Sequence, residues 1–186
     1  MIMALIGIII FIILIIALLY NSLVAKKNAV GNAFGSIDAM LKKRYDLLPN
    51  LVETVKQYMN YERDTLTKVT ELRSKAVDPK LPPDQKIQLE NQINTAMRGI
   101  MVQVENYPDL KANQNFMQLQ GSWNEIEEQI SAARRAYNAS VNSYNNACEQ
   151  FPTNIMASMM NYPLKTYIEI PDEERKNISA RDLFNS

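Results

Sequence analysis

The chain begins with an apolar run that no polar residue interrupts. Residues 1–19 read MIMALIGIIIFIILIIALL, which is close to the ~20 residues that a helix needs to cross a bilayer. The alternative is a cleavable signal peptide, but no charge precedes this run, and its apolar core exceeds the about 7 to 15 residues typical of one. We therefore expect residues 1–21 to be an uncleaved transmembrane anchor that contacts the lipid bilayer through Met1 to Tyr20.

Apolar residues then recur every three or four positions from Val30 to Leu72, which is the period of a helix. Pro49 lies inside this run, where it removes a backbone donor and clashes with the preceding turn. The pattern predicts one helix over residues 22–76 with a kink at Pro49. It ends before VDPKLPPD, whose prolines indicate a turn. A shorter periodic segment predicts a second helix over residues 84–105.

The third predicted helix, over residues 109–151, has the clearest pattern. It opens in YPDLKANQNFMQLQ, where Pro108 and Asp109 are typical of a helix start. Asn113, Gln114 and Asn115 are interpreted as its solvated face, with an amide patch that bonds a partner's backbone as the alternative. Large residues follow at intervals of seven and predict a helix-packing seam: Phe116, Trp123, Ile130, Tyr137, Tyr144 and Phe151.

The C-terminal part is expected to be short and irregular. Residues 153–160 predict a short helix whose Met156, Met159 and Met160 either cover the end of the bundle or contact lipid or a partner. TYIEIP alternates like an edge strand but has no strand to pair with, so 163–186 is read as a C-terminal tail. The predicted fold is all-α: a transmembrane helix, then an antiparallel bundle of about three long helices and a short C-terminal helical segment.

The amino-acid composition excludes several classes of catalytic, metal and nucleic-acid site. The 186 residues contain no histidine, which excludes Ser-His triads, Cys-His nucleophile pairs and metal sites that need histidine. Cys148 is the single cysteine, so neither a disulfide within the chain nor a CxxC motif can form. The formal net charge is +0, without the basic stripe that nucleic-acid binding requires. We expect no catalytic, cofactor or metal residues and no small-molecule substrate.

Two further features suggest contacts between helices. Glu62 falls on the apolar stripe of the first helix and Arg44 flanks it, so we expect an ion pair between helices among Arg44, Glu62, Arg134 and Arg135. Ala132, Ala136 and Ala139 widen the apolar stripe of the third helix beyond what two neighbours must cover. This width indicates self-association, although a three-helix bundle could also absorb it.

Several stretches together resemble the LemA family of bacterial membrane proteins. They are YNSLV after the anchor, LKKRYDLLPNLVETVKQY, YPDLKANQNFMQLQ and ISAARRAYNASVNSYNNACEQFPTNIMA. The resemblance covers residues 20 to 163 in order, whereas the tail after Tyr162 departs from the family pattern. It implies one N-terminal transmembrane helix, a body of long antiparallel helices and no assigned enzymatic activity.

The expected protein is therefore a single-pass protein of the bacterial inner membrane. Lys26 and Lys27 follow the span, so the positive-inside rule places the N-terminus outside and the body in the cytoplasm, with the opposite orientation as the alternative. We expect a non-catalytic scaffold or adaptor that forms homo-oligomers and binds an unidentified protein. A membrane-organising or membrane-remodelling protein is the alternative function, and a carboxylate-based hydrolase is a remote one.

Overall fold

The computed structural model describes residues 1–59, 63–78 and 80–168. Throughout these ranges the chain is all-α and contains no strand, which confirms the predicted fold class. The helices are α1 (Ile2–Tyr58), α2 (Arg63–Ala76), α3 (Pro83–Val104), α4 (Pro108–Lys111), α5 (Gln114–Glu149) and α6 (Thr153–Met159).

The first long helix is shorter at its C-terminal end than the periodic pattern predicts. α1 ends at Tyr58 and α2 begins at Arg63, whereas the sequence predicted one helix through to residue 76. Asp64 lies in the first turn of α2, where a carboxylate suits the partial positive charge of a helix N-terminus. In the sequence, apolar residues keep the same helical spacing from α1 into α2, so the pattern does not show that one helix ends and another begins. By contrast, α3 and α6 begin and end within one residue of the predicted bounds.

The chain divides into two units, Met1–Gly35 with Ala133–Ser186, and Ser36–Ala132. In the first unit, α1 and α5 run antiparallel: Lys26 Nζ donates to Ser143 Oγ at 2.8 Å, while Phe34 stacks edge-on against Tyr137. α6 closes the core of this unit. The buried side chains of that core are Leu23, Val30, Val141, Tyr144, Ala147 and Ala157.

The second unit packs the remainder of α1 with α2, α3, α4 and the N-terminal part of α5. Lys86 pairs with Asp38 and Glu90 pairs with Arg44, so α3 runs parallel to α1. The core of this unit consists of aliphatic, methionine and aromatic side chains. Its fully buried members include Leu51, Val55, Met59, Val69, Ile93, Met97, Leu110 and Phe116.

Pro49 lies inside α1, and the helix continues through it. Because proline has no N–H, the carbonyl of Tyr45 four residues earlier loses its usual helical donor. Nε of Arg73 in α2 donates to that carbonyl at 2.7 Å. The predicted bend at Pro49 stays a prediction, but the donor that proline removes is replaced from the neighbouring helix.

The stretch YPDLKANQNFMQLQ contains two helix starts where the sequence predicted one. α4 begins at Pro108 and is only four residues long, and α5 begins at Gln114. Asn113 caps α5, because its Oδ1 accepts the Phe116 N–H at 3.0 Å. Its Nδ2 donates to the Tyr58 hydroxyl at 3.0 Å. Asn113 is therefore half-buried and tied to the end of α1, whereas Gln114 and Asn115 are exposed as expected.

Candidate functional site

The predicted seam on α5 is largely buried, and its last residue is not. Phe116, Trp123, Ile130 and Tyr144 are each at most 4% exposed, and Tyr137 is half-buried. Phe151 is 80% exposed. α5 ends at Glu149, so a spacing of seven no longer corresponds to one helical face at residue 151.

A buried charge centre lies in the second unit around Arg44. Arg44 is 1% exposed, and its Nη1 pairs with Oε1 of Glu90, which is 0% exposed. Its Nη2 lies 3.4 Å from Oε2 of Glu127, at the edge of the centre. The guanidinium also lies over the Trp123 ring, 4.0 Å from its centroid. Side chains of α3 and α5 thus surround one cation that α1 supplies, which fixes the positions of these helices relative to one another.

Several polar atoms around this centre have no hydrogen-bond partner within the described residues. They include Nε of Arg44 and Oε2 of Glu90. Burial raises the pKa of the Tyr45 phenol, and the nearby Glu90 carboxylate raises it further. The phenol therefore remains protonated throughout the physiological range of pH.

Arg44, one of the four residues that the sequence analysis proposed for an ion pair, forms a pair with Glu90. Glu62 lies outside the described residues. Arg134 is buried at 5% exposure, and Arg135 is exposed. The carboxylate that pairs with Arg44 belongs to Glu90, which the sequence analysis did not predict. The sequence does indicate that Glu90 is buried, because it lies three residues from both Ile87 and Ile93 on the apolar face of α3.

The geometry of this centre favours a structural role. Its central pair is closed to solvent, so a substrate has no access to the Arg44 and Glu90 side chains. Within the described ranges, no group of three or more acidic or cysteine side chains is positioned to hold a metal ion. The pair can hold the helices in register, because displacing either Arg44 or Glu90 would leave the charge of the other buried without compensation.

The small-residue face and the methionine segment are also placed by the structure. Ala132, Ala136 and Ala139 are exposed on α5. Met156 of α6 and Met160, which follows α6, are half-buried against the core of the first unit, whereas Met159 is 75% exposed. The methionines therefore divide between the two predicted uses: two cover the core, and one faces outward.

The apolar start of α1 does not join the core of either unit. Large side chains such as Leu5, Phe11 and Leu18 are at least 60% exposed. By length and composition, α1 contains a segment apolar enough to cross a membrane, and none of that segment is buried inside the protein.

Comparison with known proteins agrees with this architecture. The model of the LemA family matches residues 33–181. The chain is also similar to Protein LemA of Metamycoplasma hominis, with 29% identity over 184 residues that cover 95% of this chain and 84% of that protein. The family match extends well past residue 163, so the tail that was expected to depart from the pattern belongs to it as far as residue 181. The chain belongs to the LemA family.

Proposed function

We propose that this protein is a membrane-anchored helical scaffold or adaptor that acts by protein contacts and self-associates through α5. One observation carries the proposal. Ala132, Ala136 and Ala139 form a row of small apolar side chains that remains exposed in the single chain. Small side chains let the backbones of two helices approach closely, so such a row suits helix-to-helix contact between copies.

The closed Arg44 centre supports a scaffold over an enzyme. A hydrolase that uses carboxylates needs two acids in a cleft open to substrate and water. Here Glu90 is committed to Arg44 inside the helix packing, and Glu127 lies at its edge. Because this centre holds the helices in fixed positions, it favours a protein that presents a constant surface to its partners.

The test is the mass of the full-length protein in mild detergent, measured by light scattering over a concentration series. A defined assembly is expected for the natural chain, and Ala136→Glu should shift it toward monomer because each copy would then bury a charge. Asn124→Glu is the matched control, since it adds the same charge at an exposed position of α5 outside the alanine row. A monomer at all concentrations would refute self-association.

A second candidate function, membrane organisation, is favoured by the outer side of α6. Ile155 and Met159 are 55% and 75% exposed on one side of α6, and Phe151, which precedes α6, is 80% exposed. Ala157 of α6 packs in the same core as Leu23, which lies shortly after the apolar run. These three side chains thus lie near the level at which α1 would leave the bilayer, where apolar groups can enter the headgroup region.

Lipid contact by this side of α6 can be measured with a fluorescent residue. Phe151→Trp in liposomes should be quenched by lipids brominated near the headgroup, because the indole would lie at that depth. Trp123 is buried in the second unit and provides an unquenched baseline. If the new tryptophan is quenched by a water-soluble quencher and not by brominated lipid, α6 does not touch the membrane.

We further propose that the span lies in the bacterial inner membrane with the body in the cytoplasm. The LemA family is membrane-associated, and the first charges after the apolar run are Lys26 and Lys27. Asn146 is exposed and suits a cysteine probe in a background with Cys148→Ala. A maleimide that cannot cross membranes should label Asn146→Cys only after the inner membrane is permeabilised; labelling of intact spheroplasts would reverse the orientation.

A further inference from the structure

Residues 162–168, here called the strap, form an extended segment that lies along α5 in the first unit. Two asparagines of α5 hold its backbone. Asn145 donates from Nδ2 to the Lys165 carbonyl and accepts the Lys165 N–H at Oδ1, both at 2.9 Å. Asn138 makes the same two bonds, each 2.9 Å, with the carbonyl and N–H of Ile168. Each asparagine therefore satisfies both backbone groups of one strap residue.

A tyrosine precedes each of these asparagines, and it also binds the strap backbone. The Tyr144 hydroxyl donates to the Pro163 carbonyl at 3.1 Å, and the Tyr137 hydroxyl lies 3.4 Å from the Thr166 carbonyl. The pair Tyr-Asn thus occurs twice on α5, seven residues apart. We call Tyr137, Asn138, Tyr144 and Asn145 the Tyr-Asn ladder.

The spacing of the ladder matches an extended chain. Seven helical residues rise about 10.5 Å, and three extended residues span about 10 Å. Successive asparagines bind Ile168 and then Lys165, and successive tyrosines bind Thr166 and then Pro163. Helix and strap therefore run antiparallel with a ratio of seven residues to three, and the same contacts repeat in register.

The ladder recognises backbone more than side chains. Leu164 and Tyr167 are 54% and 52% exposed, and Lys165 and Thr166 are also exposed. Ile168 is the buried residue of the strap, at 7% exposure. Binding an extended segment through its main chain is a known mode of peptide recognition, in which backbone hydrogen bonds supply most of the affinity.

We propose that the Tyr-Asn ladder is a binding site for an extended peptide segment, and that in the assembled protein it takes the strap of a second copy. This inference rests on the self-association proposed above. A second copy supplies the same backbone groups and the same Ile168, so exchange between copies loses no contact, which makes such swapping a low-cost route to assembly. The strap leaves α6 at Asn161, whose φ of 50° places it in the left-handed region typical of a helix end. This single residue is where the chain direction would change on exchange.

The test uses the full-length protein in mild detergent with a photo-crosslinker in place of Tyr167, whose hydroxyl lies 3.3 Å from Oδ1 of Asn142 on α5. A copy that carries the crosslinker and a small tag is co-expressed with a copy that has a large tag and no crosslinker. Irradiation is expected to join the two tags through position 167 of one copy and α5 of the other. Light scattering on the same sample reports whether the protein is assembled.

Lys165→Pro in the crosslinker copy removes the N–H that Asn145 accepts, without changing the body of the protein. Lys165→Ala is the matched control, because it removes the same exposed side chain and keeps the N–H. The proline variant should lower crosslinking between copies about tenfold, which corresponds to the loss of one to two hydrogen bonds of ordinary net strength. The alanine variant should leave it unchanged.

The outcomes separate this inference from the proposed function. Crosslinks between copies that fall with Lys165→Pro and persist with Lys165→Ala support exchange through the ladder. Assembly with crosslinks only within one copy overturns the exchange and leaves self-association intact. Crosslinks between copies that persist equally with Lys165→Pro also overturn it, because the contact would then not use the ladder. A monomer refutes self-association, and the exchange with it.

Discussion

The hydrogen bond from Arg73 to the Tyr45 carbonyl allows a quantitative test of how this fold accommodates Pro49. Arg73→Met keeps most of the aliphatic length and removes the Nε donor at 2.7 Å. Because Pro49 has no N–H, the Tyr45 carbonyl would then lose the donor that replaces it. A hydrogen bond from a charged donor contributes about 1.5–3 kcal/mol, so we expect the free energy of unfolding to fall by about 2 kcal/mol.

The second half of the prediction is a rescue by Pro49→Ala. Alanine restores the N–H of residue 49 and with it the ordinary helical bond to the Tyr45 carbonyl. Arg73→Met should therefore cost less in the Pro49→Ala background than in the natural chain. The difference between the two costs is the coupling energy of the pair, and we expect about 1–2 kcal/mol.

Trp123 makes this measurable. It is the single tryptophan, is 4% exposed and lies in the same unit as Arg73, so its fluorescence reports unfolding of that unit. Urea titrations in mild detergent would compare four chains: natural, each single variant and the double variant. Lys68→Met, an exposed charge loss on α2, is the control and should be near neutral. Equal costs of Arg73→Met in both backgrounds would show that Arg73 does not replace the donor that Pro49 lacks.

Three further predictions concern the second unit and use the same fluorescence assay. Glu90→Leu should destabilise by about 3–5 kcal/mol because Arg44 stays buried without its main partner, and adding Arg44→Met should recover most of that loss. Asn113→Ala should cost about 1 kcal/mol through loss of the α5 cap, while Asn113→Asp should retain the cap. Because the pKa of Tyr45 is raised, the folded chain keeps a proton that the unfolded chain releases above about pH 10, so stability falls as pH rises past that value. Tyr45→Phe should flatten this decline by about 1.4 kcal/mol per pH unit; an identical slope in both chains would contradict the assignment.

Helix type follows from the sequence because the apolar period is long and regular. The positions at which helices begin and end are harder to predict from the sequence, and α1 shows why. Val55 and Leu66 are both buried, so the apolar pattern continues from α1 into α2 even though the helix ends at Tyr58. A period reports which face is buried and carries little information about where the backbone stops being helical. Asn113 illustrates the same limit. In the sequence it is one of several neighbouring polar residues, and its role as a cap is evident only from its hydrogen bonds to Phe116 and Tyr58.

The buried charge could be anticipated only in part. Arg44 was identified because it flanks an apolar stripe, and Glu90 was missed although it interrupts one. Pairing is a property of two faces, and one sequence does not show which faces meet. When two separate helices each carry a charged residue on the buried face, the sequence indicates that these two residues pair. Arg44 and Glu90 are such residues, 46 positions apart in the chain.

α5 carries two superposed patterns with the same period, and only one of them is visible to a search for apolar residues. The first places Phe116, Trp123, Ile130 and Tyr144 in the core. The second places a neutral amide directly after Tyr137 and again after Tyr144, where it binds backbone instead of water. An amide suits this use because it offers a donor and an acceptor together and carries no charge, so its bonds to the strap depend little on salt or pH. A polar residue that repeats with the period of the core is therefore better interpreted as a contact than as solvated surface, and in α5 that interpretation leads directly from two asparagines to the segment they hold.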